Sequence, residues 1–391
     1  MSHFSFLCRT KTSFGKNALE HLPFDLAAMG SSKPMVIQDK ASHLAGLTKP
    51  VIRAFKESGM TIGISPPIPE TREGDANFIK SMYTHYTEKG YDALIALGRQ
   101  TAGDAAKALN IAVSLGPESL KKKNISQRLN PLIYLPIGAA SGAATAGMAR
   151  FNNQTFMSDF LAPDQAVIDP SLFIPDEVDT LIDVSLTCLA TGAEVLGLSR
   201  SLPARAYASA IIRLGIAPLE SIIQSNKDHQ NQPQKIKLAW QKDLVQAGVM
   251  AGYLMSEPLI SNILGQTISD QTRISQGQAM CIVLPPLLEA LGTEDMEGLL
   301  LALKGQESFS TVPLPLYAQT SVQAIRSLVN SLYGVSRGRR PRTLEEAGWN
   351  KTAIVSLGEK LVDSGTLKGI DPNTLETILT CACDGRPVIQ G

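Results

Sequence analysis

The sequence predicts a two-domain α/β protein, with a doubly wound parallel sheet in the first half and an all-helical second half. Up to residue 174, short apolar runs of strand length alternate with helical periodicity, which is typical of a parallel sheet covered by helices. From residue 175 onward, apolar residues recur at intervals of three and four. The 391 residues also exceed what one ordinary core accommodates. We therefore expect domains at 1–174 and 175–391.

The strands of the first domain are predicted from its compact apolar runs. An alternating segment at His3–Cys8 is followed by runs at 33–39, 61–65, 92–97, 131–136 and 166–170. Helical patterns separate these runs. In the second domain we expect seven to nine helices, from a mean helix length of about three turns. Ser225–Gln234 is predicted as a polar loop between two of them.

Composition excludes several classes of partner. Hydrophobic residues make up 44% of the chain, and 36 basic residues balance 36 acidic ones. Net charge therefore attracts neither nucleic acid nor an anionic membrane. No leader peptide and no run of about 18 uncharged apolar residues is found, so we expect a cytoplasmic protein without a membrane partner. The basic run Arg337–Arg342 is interpreted as a solvated connection rather than a phosphate clamp.

Cysteine and histidine usage restricts metal chemistry. Five scattered cysteines do not make a disulfide framework, and we expect them to be reduced. The five histidines lie at positions 3, 21, 43, 85 and 229, so only one follows residue 85. A multi-histidine metal site in the second half is therefore impossible.

Residues 94–109 form the stretch around which the chain is organised. They read LIALGRQTAGDAAKAL, which indicates a strand end, a glycine turn and a helix. Such a turn directs backbone N–H groups and the positive end of a helix at its ligand, and that ligand is usually a phosphate. Arg99 and Gln100 occupy the middle of the turn, where a pyrophosphate usually approaches glycines. The stretch therefore predicts a nucleotide site with an altered turn.

Two further features fall at predicted strand ends, where ligands of parallel sheets bind. Asp39 ends an early strand, a position from which a carboxylate binds ribose hydroxyls in dinucleotide folds. A helix N-cap is an equally good interpretation of Asp39. The small-residue turn GAASGAATAG follows the strand that ends at Pro136.

These motifs resemble the iron-dependent alcohol dehydrogenase family, whose fold is shared more distantly with dehydroquinate synthase and glycerol-1-phosphate dehydrogenase. The resemblance covers nearly the whole chain, with the motifs in the family's order. They are Phe14-Gly15, Asp39, GRQTAGDAAK at 98–107, Pro136 with its turn, APDQAVIDPSL at 162–172, Gln276-Gly277 with Leu284-Pro285, and RTLEEAGW at 342–349.

The resemblance implies a Rossmann-like nucleotide domain, an all-α domain and an active site in the cleft between them, the architecture of dehydroquinate synthase. It also implies an NAD(P)-dependent oxidoreductase in which iron or zinc polarises an alcohol or carbonyl oxygen. A dimer is the oligomer that it implies. The amino-terminal strand would be free to pair across such an interface.

The positions aligned with the family's metal ligands are degenerate. The family binds its metal through an Asp, a His four residues later and two further histidines. Amides are poor ligands for iron or zinc compared with imidazole, and we predict no catalytic metal. Gln266 aligns with a family histidine near the nicotinamide, so a proton-relay candidate is missing as well. The four aligned metal positions are Glu194, Leu198, Asn262 and Gln276.

Two interpretations of these degenerate positions remain. In the one we favour, Glu194 and the amides of Asn262, Gln266 and Gln276 form a buried hydrogen-bonded network that replaces the metal structurally. In the other, Glu194 or Gln266 acts in catalysis as an acid or base, or holds a substrate hydroxyl.

The resemblance also places a cofactor site, which this sequence alters. Arg99 is suited to pair with a phosphate, whereas the second turn has lost most of the family's hydroxyls. A ribose contact by Asp39 would favour NAD over NADP. The candidate cofactor-binding residues are Asp39, Gly98, Arg99, Gln100, Thr101, Asp104, Ala139 and Ser141.

The function is left open between two main hypotheses. The first is an NAD(P)-dependent oxidoreductase that acts on a small alcohol or carbonyl substrate without a catalytic metal. The second is a non-catalytic paralogue, a binding or scaffolding protein that is a homodimer or the partner of a related subunit. A changed reaction on the same scaffold is a third possibility.

Overall fold

A computed structural model of the chain divides into two compact units. The α/β unit comprises residues 7–176 together with 248–256, and the helical unit comprises 177–247 and 257–391 together with Phe6. The structure describes residues 6–69, 72–121, 125–139, 142–152, 154–199, 201–227, 238–255, 258–293, 296–350, 353–354, 356–358, 361, 367 and 370–388.

The α/β unit is built on a parallel sheet. Within the described residues this sheet has six strands in the order β1-β8-β5-β4-β2-β3, and each neighbouring pair runs parallel. A separate antiparallel hairpin joins β6 to β7. The strands are β1 (Lys11–Phe14), β2 (Pro34–Gln38), β3 (Gly63–Pro67), β4 (Ala93–Gly98), β5 (Leu132–Pro136), β6 (Met148–Phe151), β7 (Gln154–Met157) and β8 (Gln165–Ile168).

Burial explains why the inner strands are apolar along their whole length. Every residue of β2, β4, β5 and β8 is buried, because helices or loops cover both faces of the sheet. The sequence predicts β2, β4 and β5 within one residue of their bounds. The predicted parallel sheet is therefore confirmed.

Two features of the sheet differ from the prediction. The first strand is Lys11–Phe14 rather than His3–Cys8, of which 6–8 form no strand and 3–5 lie outside the described residues. Its side chains are mostly exposed, so no apolar pattern marks it. The β6–β7 hairpin was not predicted either. Its second strand has only Phe156 buried, which leaves a polar sequence without alternation.

Helices flank the sheet strands and make up the helical unit. In the α/β unit the structure has α1 (Leu22–Ala28), α2 (Lys40–Leu44), α3 (Thr48–Ala54), α4 (Arg72–Lys89) and α5 (Gln100–Leu115). After residue 177 it has α6 (Val178–Leu198), α7 (Leu202–Lys227), α8 (Leu238–Leu254), α9 (Ile260–Gln271), α10 (Gln276–Leu291), α11 (Glu297–Phe309), α12 (Tyr317–Val335) and α13 (Pro372–Asp384).

The helical unit is organised around α6, whose residues are almost all buried. Helices α7, α9 and α10 pack against it. Of the described helices, α6 and the 202–225 part of α7 are long and apolar enough to span a membrane, but 89% of the apolar window in α6 is buried in the protein. The apolar character of α6 is therefore that of a core helix. The predicted polar loop lies outside the described residues from 228 onward.

The basic run is not simply a solvated connection, which corrects the sequence interpretation. The Arg340 side chain is 12% exposed, and its guanidinium pairs with Asp179 at 2.8 Å and Asp183 at 2.7 Å. Arg342 lies 4.0 Å from the ring centroid of Tyr333. The segment therefore fastens to α6 through Arg340.

A buried lysine holds the small-residue turn that follows β5. The Lys107 ammonium, on α5, donates to the carbonyl oxygens of Ala143, Ala146 and Met148 at 2.9, 2.7 and 2.9 Å. Hydrogen bonds to a charged group contribute about 1.5–3 kcal/mol each. Thr145 is held as well, since its hydroxyl donates to the carbonyl oxygen of Val249. The turn is therefore fixed by side chains of the α/β unit.

Asp104 lies one helical turn before Lys107 and shares its environment. Its carboxylate accepts the N–H of Arg150 at 3.1 Å. Burial raises the pKa of Asp104 to about 6, although the Lys107 charge and hydrogen bonds oppose that shift. Burial likewise lowers the pKa of Lys107 to about 8, opposed by the Asp104 charge. Desolvation therefore outweighs the attraction within this pair.

Asp104→Asn tests this balance. The unfolded chain releases the Asp104 proton near pH 3.9, whereas the folded protein keeps it until about pH 6. Stability is therefore lost as the pH rises between these values. Relative to Asp104→Asn, the wild type should lose roughly 2–3 kcal/mol of unfolding free energy between about pH 4 and pH 7. Urea denaturation at a series of pH values measures the difference.

Asp159→Asn, which alters an exposed carboxylate of the same unit, is the matched control. The pH dependence of Asp159→Asn should follow that of the wild type. If the difference in unfolding free energy between wild type and Asp104→Asn stayed constant across the pH range, the raised pKa of Asp104 would be contradicted.

Candidate functional site

The turn between β4 and α5 leads directly into a helix start. Because β4 ends at Gly98 and α5 begins at Gln100, Arg99 is the N-cap residue, with extended backbone. The N–H groups of Gln100 and Thr101 therefore have no acceptor within the helix, and Thr101 is exposed. Such a helix start attracts an anion.

Asp39 connects the ends of β2 and β4. One carboxylate oxygen accepts the N–H of Ser42 at 2.7 Å, which caps α2, and the other accepts the N–H of Arg99 at 2.7 Å. The N-cap interpretation of Asp39 is therefore confirmed. The ribose contact stays a prediction. Gly98 has φ +149° and packs so closely on Asp39 that an added Cβ would lie 2.4 Å from its Oδ2.

Arg99 is paired with a carboxylate that the sequence did not single out. Its Nη2 lies 2.7 Å from Oδ1 of Asp176, whose side chain is fully buried. Oδ2 of Asp176 accepts the N–H of Ala139 at 2.7 Å. The two predicted turns, at Arg99 and at Ala139, are thus joined through one carboxylate. No signal in the sequence reveals this contact, because 77 residues separate Arg99 from Asp176.

The remaining predicted cofactor residues divide between the turn and its surroundings. Gln100 and Thr101 lie at the start of α5. Asp104 faces the backbone of Arg150, and Gln100 donates to it, so Asp104 is not a free helix-start carboxylate. Ala139 is buried at the second turn, and Ser141 lies outside the described residues.

Tyr134 is another group that the sequence did not indicate. The residue lies on β5 and is fully buried, and an added Cβ at Gly103 would lie 2.5 Å from its ring. Its hydroxyl has no hydrogen-bond partner in the described part of the chain. Burial raises its pKa well above the ordinary value, helped by the charges of Asp104 and Asp39 and opposed by that of Arg99.

In the helical unit, Glu194 contacts the start of α9. Its two carboxylate oxygens accept the N–H groups of Ile260 and Ser261 at 2.7 and 2.8 Å. These are first-turn N–H groups, which need acceptors from outside their helix. Burial raises the pKa of Glu194, and the hydrogen bonds from Ser261 and Ile260 oppose the shift. The carboxylate therefore caps α9.

None of the other positions aligned with the family's metal ligands carries an imidazole. Leu198 is the last residue of α6, and Asn262 is buried in the first turn of α9. Gln266 donates to Asp270 at 3.1 Å and Ser269 at 3.3 Å on its own helix. Gln276 begins α10. The observed partners of Glu194 and Gln266 thus differ from the amide network that the sequence predicts.

Within the described residues, no three His, Cys, Asp or Glu side chains are grouped as metal ligands. A separate cavity of about 580 Å³ lies in the helical unit, where Glu289 and Arg326 pair at 3.0 Å on its wall. None of the residues at the aligned metal positions lines this cavity.

Several known proteins are similar to this chain. The family model described as iron-containing alcohol dehydrogenase matches residues 9–170. Choline dehydrogenase from Bacillus subtilis is 22% identical over 382 residues, which cover 91% of this chain and 88% of that protein.

Two solved structures have a similar fold. The alcohol dehydrogenase from Oenococcus oeni has a TM-score of 0.78 at 17% identity, covering 97% of this chain and 100% of that one. The NADH-dependent butanol dehydrogenase A from Thermotoga maritima has a TM-score of 0.74 at 16% identity, covering 98% and 99%. The match of the family model to residues 9–170 and the full-length similarities agree with the resemblance to the iron-containing alcohol dehydrogenase family that the sequence motifs carry.

Proposed function

We propose that this protein is an NAD(P)-dependent oxidoreductase that acts on a small alcohol or the corresponding carbonyl compound, and that it works without bound iron or zinc. The observation that carries the proposal is the start of α5 beside the Arg99 guanidinium, in a chain similar to a dehydrogenase along its length. Oxidation would transfer a hydride from the alcohol carbon to the nicotinamide and release the hydroxyl proton.

The residues around the turn fit a pyrophosphate. The N–H of Thr101 lies in the first turn of α5, where no acceptor within the helix is available, and Arg99 supplies a positive charge with a buried Nε that has no partner among the described residues. The Asp39 carboxylate, at the end of β2, would repel a 2′-phosphate, so we favour NAD over NADP. The butanol dehydrogenase of similar fold, described as NADH-dependent, supports this choice.

The aligned metal positions do not fit iron or zinc. Both oxygens of Glu194 already accept N–H groups, and Leu198 supplies no donor. Asn262 and Gln276 supply amides, which compete poorly with imidazole for these metals. Glu194 instead occupies the role of a helix cap, so we propose that it stabilises the fold and does not take part in hydride transfer.

Activity should therefore survive chelation. Protein dialysed against EDTA should oxidise short primary alcohols or choline with NAD at a rate within about twofold of the untreated protein, since no Lewis acid is removed. The absorbance of NADH measures turnover, and elemental analysis measures bound metal. Activity that depends on added iron or zinc, or one equivalent of tightly bound metal, would overturn the metal-independent proposal.

Nucleotide binding is the companion measurement. Calorimetric titration should detect NAD and should find NADP weaker. If neither nucleotide binds at millimolar concentration, the oxidoreductase proposal fails.

A second candidate function is that of a non-catalytic paralogue. It is supported by the hydrogen bonds that already engage the side chains of Glu194 and Gln266. With these groups engaged on α9, neither is free to replace the metal or the relay histidine. Such a protein would bind a nucleotide and turn over none of the alcohols. It would act as a homodimer or as the partner of a related subunit, which light scattering of the purified protein and of co-expressed pairs would detect.

Glu194→Gln separates a helix cap from a catalytic carboxylate. The substitution removes a charge-assisted acceptor from the start of α9, and the free energy of unfolding should fall by about 1–3 kcal/mol. Turnover should stay within about threefold of the wild type, whereas loss of a general acid or base costs about 100-fold or more. Gln266→Leu is the matched control, because it alters the position that the resemblance aligns with a histidine near the nicotinamide. A large loss of kcat in a folded Glu194→Gln protein would assign the residue to catalysis.

A further inference from the structure

The second turn of the α/β unit already holds an anion, and the chain itself supplies it. The Asp176 carboxylate is fully buried and accepts the Ala139 N–H through Oδ2 at 2.7 Å. A Cβ at Gly138 would lie 2.7 Å from both of its oxygens, so the carboxylate lies against the turn backbone. A backbone N–H and a guanidinium are the two kinds of donor that phosphate-binding turns use. Asp176 therefore takes the place that a phosphate oxygen takes in such a turn.

Asp176 satisfies only part of the Arg99 guanidinium. Nη2 of Arg99 bonds to Oδ1, but the buried Nε has no partner among the described residues. The Arg99 side chain is 33% exposed, whereas its Nε is buried, so a ligand reaches part of the guanidinium directly and reaches Nε only when the side chain moves. Guanidinium groups bind phosphates through two parallel N–H donors. In Arg99, Nη2 is engaged by Asp176 and Nε is unused.

A second unsatisfied group lies beside the same turn. The Tyr134 hydroxyl, fully buried and near the charges of Asp39 and Arg99, has no partner in the described part of the chain. Its ring contacts Gly103 in the first turn of α5. Buried polar atoms normally have a partner in the protein, in water or in a ligand. The Arg99 Nε and the Tyr134 hydroxyl are thus two polar atoms near this helix start that a water molecule or a polar ligand would satisfy.

We propose that Asp176 is a resident competitor for the pyrophosphate of the dinucleotide, and that its pairing with Arg99 sets the nucleotide affinity of this protein. The proposal rests on the proposed function, because the dinucleotide is the ligand of that function. The pyrophosphate binds by taking Arg99 and the Ala139 N–H from Asp176. A carboxylate and a phosphate repel each other at that distance, so Asp176 weakens nucleotide binding while it stabilises the empty turn.

The experiment measures the affinities of inorganic pyrophosphate, NAD and adenosine for the full-length wild type and for Asp176→Asn. Asparagine keeps an acceptor for the Ala139 N–H and removes the negative charge that holds Arg99. We expect pyrophosphate and NAD to bind about tenfold more tightly to Asp176→Asn, a change of the size of one modest charge interaction. Adenosine, which carries no phosphate, should bind equally to both.

Arg99→Met, alone and combined with Asp176→Asn, completes a double-mutant cycle. Without Arg99 the substitution at Asp176 should give less than about a twofold gain, because the two residues act through one contact. Circular dichroism verifies folding, and Asp176→Ser, which also retains an acceptor and is smaller, replaces Asp176→Asn if that variant does not fold. An unchanged pyrophosphate affinity in the folded variants, or an equal gain in the Arg99→Met background, would overturn the proposal.

The two ligands separate this inference from the proposed function. A tenfold gain for pyrophosphate, with no NAD binding to any variant, would support the role of Asp176 and reject the use of NAD. Binding of NAD that is equal in wild type and Asp176→Asn would support the oxidoreductase and reject the role of Asp176.

Discussion

The buried ammonium of Lys107 is the interaction on which the geometry of the α/β unit depends. One side chain of α5 supplies donors to three carbonyl groups of the segment that follows β5, and so fixes the second turn relative to the helix that starts at the first turn. Asp39 makes the corresponding link between β2 and β4. Both turns are therefore shaped by charged side chains of the chain, which satisfy backbone groups that a sheet leaves unpaired at its strand ends.

Charged side chains also satisfy backbone groups in the helical unit and at the second turn. Glu194 accepts two N–H groups at the start of α9, and Asp176 accepts the N–H of Ala139. Backbone N–H groups at helix starts and turns attract anions, whether these belong to a ligand or to the chain. Carboxylates of the chain thus contact backbone N–H groups at both candidate sites.

The sequence predicted the sheet well because burial on both faces makes the inner strands apolar throughout. Where a strand is exposed this signal is absent, which is why Lys11–Phe14 and the β6–β7 hairpin were not predicted. The alternating pattern at His3–Cys8 did not mark a strand at 6–8, the part that the structure describes, since alternation alone does not establish a partner strand. Helix type and order in the second half followed from periodicity, which local sequence carries.

The candidate site was predictable only as far as local motifs reach. The turn at Arg99 and the capping role of Asp39 follow from a strand followed by a helix, which neighbouring residues determine. The contacts of Arg99 with Asp176 and of Glu194 with Ile260 join residues 77 and 66 positions apart. Such contacts depend on tertiary packing and leave no periodic trace in the chain.

The packing of Gly98 and Gly138 affects how nucleotide-binding motifs are recognised from sequence. Each glycine lies where a methyl group would collide with a carboxylate of the protein, Asp39 in one case and Asp176 in the other. The glycines of this motif are thus required by internal packing, independently of any phosphate. A pattern search that scores these glycines as a dinucleotide fingerprint would therefore retain its score even in a descendant that had ceased to bind the cofactor. Identification of a working nucleotide site at such a turn should weigh the acidic neighbours of the glycines as well as the glycines themselves.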